Sequence, residues 1–237
     1  MCGRYTSKKN PVDIAEEFHA ANLVPQDRRP DYNVAPTREV PVVRAVVGEE
    51  TSAAEDAREL VTMRWGLVPF WAKDPKVGGR MFNARVETLT TKPAYRSAVK
   101  RRRCIVPIDG YYEWKKLDGG KKQPYYMTGR DGASLALAGL WETWGKGEDA
   151  LTTFTIVTMP SAGHLEEIHD RMPFMLPARS WQQWLAPDEP DVAELLAHPD
   201  LARAESLELR PVGADVGKVA NNRADLIDEI TPDAVLF

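Results

Sequence analysis

Arg103-Cys104-Ile105-Val106-Pro107-Ile108-Asp109-Gly110-Tyr111-Tyr112-Glu113-Trp114-Lys115-Lys116 is dominated by β-branched and aromatic residues, the composition of a buried strand. Similar short runs flank it at residues 61–71 (VTMRWGLVPFW), 123–129 (QPYYMTG), 134–144 (SLALAGLWETW) and 151–160 (LTTFTIVTMP). Gly119-Gly120 and Asp131-Gly132 fall between such runs and predict hairpin turns. The pattern is a meander, which predicts a curved, largely antiparallel sheet or open barrel. Helices are expected on its flanks. Asn10-Pro11-Val12-Asp13 combines a capping residue, a proline at the first helical position and an acid in the first turn. It predicts a helix over about 11–22, with Ile14, Ala15, Phe18 and Ala21 on one face. A Val-rich strand is expected over 40–47, helical pieces over His164 to His169, Arg179 to Leu185 and Asp191 to Leu196, and a short strand over Leu207 to Val212. No internal repeat is visible. The whole of 1–237 reads as one α+β domain.

Composition narrows the function classes. The 237 residues hold 31 Lys+Arg against 35 Asp+Glu, 43% hydrophobic residues and 28% charged ones, which excludes wholesale disorder and fibrous repeats. No run of about 18 apolar residues occurs, so no membrane helix is expected. Arg4, Lys8 and Lys9 occupy the place of a signal peptide's apolar stretch, so a cytoplasmic protein is expected. Two cysteines are too few for a disulfide framework or a four-thiolate zinc site. His164 and His169 are five apart, off the spacing that puts two imidazoles on one helical face, and no glycine-rich phosphate loop occurs. Neither metal nor cofactor is expected. The acidic stretch Glu49 to Glu59 reads as an exposed loop or short helix without chemistry. Charge is uneven: residues 61–130 hold 16 Lys/Arg against 5 acids, a net +11 inside a chain of net −4. A basic centre in an acidic chain points to an anionic partner, with nucleic acid the leading candidate; the alternative is that Lys100 to Arg103 only solvates a helix end or strand edge.

Three places carry possible chemistry. Removal of Met1 leaves Cys2 as a 1,2-aminothiol, unless the cysteine is incidental. An α-amine of pKa about 7.7–8.0 is substantially unprotonated near neutrality, and an ordinary thiol near 8.5 is a few per cent thiolate. In the 110–114 run, period two puts Tyr111 and Glu113 on one face and Tyr112 and Trp114 on the other. Turned inward, an acid there is desolvated and suited to proton transfer; turned outward, it is an ordinary edge residue. In Ile168-His169-Asp170-Arg171-Met172-Pro173, His169 and Arg171 precede a helix-breaking proline, either as functional groups or as helix-end cations.

Together the fragments resemble the SRAP family, the SOS-response-associated proteins that process abasic sites in single-stranded DNA. The resemblance rests on Met1-Cys2-Gly3-Arg4-Tyr5, Tyr32-Asn33-Val34-Ala35-Pro36-Thr37, Trp65-Gly66-Leu67-Val68-Pro69 and Asn83-Ala84-Arg85-Val86-Glu87-Thr88. It continues through Cys104-Ile105-Val106-Pro107 into Gly110-Tyr111-Tyr112-Glu113-Trp114, and Ile168 to Pro173, in order over residues 1 to about 225. It implies that Cys2 attacks the aldehyde of an opened abasic sugar with amine and thiol, and that Asn83, Glu113 and His169 complete the active site. Chemical type suggests proton shuttling for Glu113, protonation of the sugar oxygen for His169 and orientation of the aldehyde for Asn83. Arg4, Arg85 and Arg171 are expected to fork onto phosphates, and Phe70 and Trp71 to stack on bases unless they pack in the core. The implied partner is single-stranded DNA containing abasic sites, with nucleoid association when bound. The rival readings are a cysteine autopeptidase acting at Met1-Cys2 and a non-catalytic single-strand binding module.

Overall fold

The computed structural model describes residues 2–46, 57–187 and 192–231. Among them the strands are β1 (Arg4–Ser7), β2 (Ala20–Asn22), β3 (Asp31–Val34), β4 (Glu39–Ala45), β5 (Arg58–Trp65), β6 (Asn83–Arg85), β7 (Arg103–Ile108), β8 (Gly110–Lys116), β9 (Lys122–Gly129), β10 (Leu135–Trp144), β11 (Leu151–Pro160), β12 (Arg171–Pro173) and β13 (Leu207–Pro211). The helices are short: α1 (Pro11–Glu17), α2 (Ala98–Arg101), α3 (Trp181–Leu185), α4 (Val192–Ala197) and α5 (Ala202–Glu205). This is the expected α+β class.

The barrel is closed rather than open. Strands β11, β10, β7, β4 and β5 pair antiparallel in turn, and β5 returns to β11 in parallel at Thr153 opposite Arg64 and Phe154 opposite Trp65. Meander periodicity cannot announce that last pairing, because it joins segments some ninety residues apart. Trp65 fills the closure, its ring 4.9 Å from that of Tyr5 and edge-on to Phe82, its indole N–H donating to the Phe82 carbonyl at 2.8 Å.

The 103–116 run serves two sheets. At Asp109-Gly110 the chain leaves the barrel as β7 and continues as β8 in a second, antiparallel sheet ordered β13-β9-β8-β1-β3. Asp109 holds the corner, accepting the Lys8 N–H at 2.6 Å while its own N–H donates to the Thr6 carbonyl. Alternation along β8 then feeds two cores. Tyr111 packs into the main core with Tyr5 and Met127, while Tyr112 and Tyr126 face Val212, Val216 and Leu226 of the C-terminal tail. That tail is tied down by Arg4, which donates to the carbonyls of Val216 and Gly217, and by Asn33, which donates to those of Val216, Lys218 and Asn221.

Several local expectations need correction. Helix α1 stops at Glu17 instead of about 22; His19 turns at φ 51° and residues 20–22 form β2, paired in parallel with β5. Tertiary pairing there overrides helical periodicity, and Ala21 is exposed. Gly119-Gly120 does turn a hairpin between β8 and β9, but Asp131-Gly132 does not, because β9 and β10 belong to different sheets. The expected 40–47 strand is β4, with Val47 outside the described residues. The Glu49 to Glu59 stretch lies outside them through residue 56, and its last two residues, Arg58 and Glu59, open β5. The C-terminal pieces appear as a 3-10 turn at Gly163–Glu167, α3, and α4, the last with Asp191 outside the described residues.

Immediately after β5 the chain makes a close backbone crossing. A Cβ on Gly66, whose φ is 120°, falls 2.4 Å from the Gly78 carbonyl oxygen, and one on Gly78 falls 2.4 Å from that of Gly66. Gly66→Ala is therefore expected to cost roughly 2–4 kcal/mol, from backbone strain plus steric overlap. Gly119→Ala, at φ 71° with nothing within 4 Å, is expected to cost about 1 kcal/mol. Urea denaturation of the two variants tests the contrast, and equal losses would count against the crossing.

Candidate active site

Cys2, Asn83 and Glu113 come together where the barrel meets the second sheet. Strand β6 lies parallel to β11, Asn83 opposite Ile156 and Arg85 opposite Thr158. From there the Asn83 amide donates to the Cys2 carbonyl at 2.7 Å. The Asn83 Oδ1 is buried and accepts no hydrogen bond among the described residues. The Tyr95 hydroxyl braces this segment through the Asn83 carbonyl at 3.4 Å.

Cys2 lies two residues ahead of β1, whose register with β8 sets Arg4 opposite Tyr112 and Tyr5 opposite Tyr111. Continued toward the N-terminus, that register sets Gly3 opposite Glu113, with Cys2 the next residue along, and Glu113 lies inward beside Tyr111 at 4% exposure. The outward-facing alternative for Glu113 is thereby excluded. Cys2 itself is fully buried, and desolvation, reinforced by the Glu113 charge, pushes its thiol far above the ordinary cysteine value. The expectation of a few per cent thiolate fails for this reason. A neutral thiol in such a place needs a proton acceptor before it can attack.

His169 follows the Gly163–Glu167 turn, on the approach to β12. Its Nδ1 lies 3.0 Å from the Arg171 amide and 2.7 Å from Asp170 Oδ1, so the ring is pinned within its own turn. Strand β12 pairs with the far end of β11, Thr158 opposite Pro173, which sets His169 and Arg171 near the same end of β11 as Asn83.

Phe70 and Trp71 are 63% and 55% exposed, which rules out the core-packing alternative. Their loop is rigidly mounted, with the Val68 N–H donating to Thr153 Oγ1 and the Trp144 indole to the Ala72 carbonyl. The excursion from 66 to 97 that carries them also presents Lys73, Lys76, Arg80, Arg85, Lys92 and Arg96, all exposed. The neighbouring Lys100 to Arg103 run divides in two. Lys100 and Arg101 are exposed, whereas Arg102 pairs with Glu142 at 2.7 Å and Arg103 is buried, donating to the carbonyls of Val99, Lys100, Trp184 and Ala186.

The three arginines expected on phosphates occupy different situations. Arg85 is exposed, and its guanidinium makes no hydrogen bond among the described residues. Arg4 is committed to the tail and to Asn33 Oδ1 at 2.8 Å. Arg171 is gripped on both terminal nitrogens by Glu87, at 2.5 and 3.1 Å, and donates to the Thr158 carbonyl. Sequence reasoning did not single out Glu87 as a partner of Arg171; its place in the motif beginning at Asn83 was the only signal. Among the described residues no group of three or more His, Cys, Asp or Glu is placed to hold a metal ion, and no helix is long and apolar enough to cross a membrane.

Residues 1–219 match the family model for SOS response associated peptidase, SRAP. The abasic site processing protein YoqW of Bacillus subtilis is 37% identical over 232 residues, spanning 96% of this chain and 99% of that protein. The abasic site processing protein HMCES of Xenopus tropicalis is 31% identical over 269 residues, spanning 97% of this chain and 78% of that one. A crystal structure of a Bacteroides thetaiotaomicron protein shares the fold, with a TM-score of 0.80 and 23% identity over 97% of this chain and 100% of that chain. Since the family match runs unbroken through the segments that deliver Cys2, Asn83, Glu113 and His169, this chain belongs to the SRAP family.

Proposed function

We propose that this protein processes abasic sites in single-stranded DNA by capturing them covalently on Cys2 after Met1 is removed, shielding the lesion in a stable thiazolidine. The observation that carries this reading is the clasp of Asn83 on the Cys2 carbonyl, with Glu113 beside the buried thiol. The names of the relatives, abasic site processing proteins, supply the substrate class.

The chemistry follows from the groups present. His169 donates a proton to the ring oxygen as the deoxyribose opens to its aldehyde. The Cys2 amine adds to the carbonyl carbon, and loss of water leaves an imine. Glu113 takes the thiol proton, sulfur bonds to the imine carbon, and the proton ends on nitrogen as the five-membered ring closes. Closure is intramolecular, so its large effective molarity converts a reversible imine into a durable adduct. Asn83 holds the main chain of the nucleophile in place throughout. Phe70 and Trp71 offer stacking faces to unpaired bases, and the exposed cations of the 66–97 excursion meet the backbone.

Intact-mass measurement after incubation with an abasic oligonucleotide decides among the readings. The expected result is loss of Met1 plus a heat-stable DNA adduct. Loss of Met1 alone supports autopeptidase action, and no mass change supports a binding module. Cys2→Ser, once its Met1 is removed, is expected to retain a borohydride-trappable imine and lose the stable adduct; a heat-stable adduct on a protein that still carries Met1 would overturn the mechanism.

Glu113→Gln is expected to slow adduct formation by roughly 10²-fold or more. The sign of its pH response follows from the thiol. Because burial raises the Cys2 thiol, a variant lacking the carboxylate depends on hydroxide, and its rate should keep climbing above pH 8. The unaltered protein should level off once its α-amine, of pKa about 7.7–8.0, is deprotonated. Parallel single-turnover profiles from pH 6 to 9.5 check this. His169→Ala should be impaired most with the closed sugar and much less with a simple aliphatic aldehyde; equal impairment with both would remove ring opening from its role.

Noncovalent affinity for single-stranded DNA is expected to fall with salt by about 0.7 log units per log unit of salt for each phosphate met. Arg85→Ala should flatten that slope by somewhat under one, as read by fluorescence anisotropy. Equal affinity for intact duplex would count against the single-strand preference.

A further inference from the structure

Arg171 presents a planar fork at the edge of the candidate site, and that fork is already occupied. Glu87 Oε1 accepts from Nη1 at 2.5 Å and Oε2 from Nη2 at 3.1 Å, the two-point geometry in which a guanidinium also receives a phosphate. The two partners differ in freedom. The Arg171 side chain is 11% exposed and further fixed by donation to the Thr158 carbonyl at 2.7 Å, whereas the Glu87 side chain is 46% exposed. One ion is seated in the fold and the other lies on it from the solvent side. Arg85, exposed and two residues before Glu87, adds a second positive charge to the same carboxylate. With Arg171 bonded to it and Arg85 near, the Glu87 carboxyl is held below the usual carboxylate range, so it stays an anion under all ordinary conditions.

We propose that Glu87 is a built-in stand-in for a DNA phosphate: it occupies the Arg171 fork in the free protein and is displaced when the backbone of a bound strand arrives. This rests on the reading of the protein as a single-stranded DNA binder. The device makes Glu87 a determinant of affinity and selectivity. Without an occupant, Arg171 and Arg85 would form an open anion site ready for any polyphosphate or undamaged strand. With Glu87 in place, a phosphate gains the fork only by exchanging one anion for another, so casual contacts gain little and a strand held elsewhere in the site gains the most. No covalent step is involved. Glu87 acts through Arg171 and touches no reacting atom, so it is not a catalytic residue.

The test is anisotropy with an undamaged single-stranded oligonucleotide across a salt series, alongside single-turnover crosslinking to an abasic oligonucleotide at saturating protein. Glu87→Gln is expected to tighten binding of the undamaged strand by roughly 3- to 10-fold at low salt. Its salt slope should steepen by about 0.7, one further phosphate contact. The crosslinking rate at saturation should be unchanged. In an Arg171→Gln or Arg171→Lys background the gain from Glu87→Gln should shrink or vanish. Asp74→Asn removes an exposed acid elsewhere on the same excursion and should leave the slope as it is. Weaker or equal binding by Glu87→Gln overturns the proposal, as does a gain that persists in both Arg171 backgrounds, which would be general charge removal. If Glu87→Gln instead crosslinks slowly at saturation with affinity unaltered, Glu87 positions Arg171 and His169 and is no stand-in. Failure of the underlying reading looks different: the unaltered protein would then neither bind the undamaged strand nor crosslink the abasic one, and the proposal would fall with it.

Discussion

The site depends on the length of one strand. β11 runs ten residues, more than the barrel needs. Its first half closes the barrel, antiparallel with β10 and parallel with β5 at Thr153 and Phe154. Its second half projects onward, and there it takes β6 at Ile156 to Thr158 and β12 at Thr158 to Pro160. Asn83 and the His169–Arg171 turn come from segments nearly ninety residues apart, yet both are positioned by ladder hydrogen bonds to that single overhang. Ladder spacing is fixed by backbone geometry, so groups set this way share one rigid frame. The second sheet supplies the rest, with Cys2 two residues ahead of β1 and Glu113 on its partner β8.

Burial sets the character of the chemistry. Cys2 lies in a dry corner with Glu113, walled by Tyr5 and Tyr111, and that burial favours its neutral thiol over the thiolate. A thiol in that setting resists adventitious oxidation and alkylation, because the thiolate that those reactions require is suppressed. Attack by such a thiol requires an electrophile and a base in place together. The same physics explains why an acid is tolerated in an aromatic strand: the period-two alternation of β8 assigns Tyr111 and Glu113 to one core and Tyr112 to another, so the strand is buried on both sides.

Much of this was legible in the residues, and what was not has identifiable causes. Strand runs are local, so β4, β7, β8, β10 and β11 follow from alternation and composition, and the capping signature at Asn10 marks the start of α1 correctly. The end of α1 is not local, since β2 exists only because Arg58 to Leu60 of β5 lie beside it. Barrel closure and the separation of β9 from β10 are likewise decisions about distant partners. In the site, residue type drew attention to Cys2, Glu113 and His169, and the family resemblance added Asn83. Arginines are less readable, since the same guanidinium serves a phosphate, a carboxylate or a row of carbonyls equally well. Arg4, Arg85, Arg103 and Arg171 have four different situations that no spacing in the chain distinguishes.

The clip between Arg4 and the carbonyls of Val216 and Gly217 has a consequence in time. The two ends of that contact are 212 residues apart, so β1 leaves the ribosome well before its brace. At about 5–20 residues per second, roughly 10–40 s separate the two events. Through that interval the outer face of β1 lacks its cover. Cover of β1 is thus coupled to synthesis of residues 216 and 217, and a chain that ends before them lacks this brace. The fold in this way seals the outer face of β1 only after the tail that braces it is made.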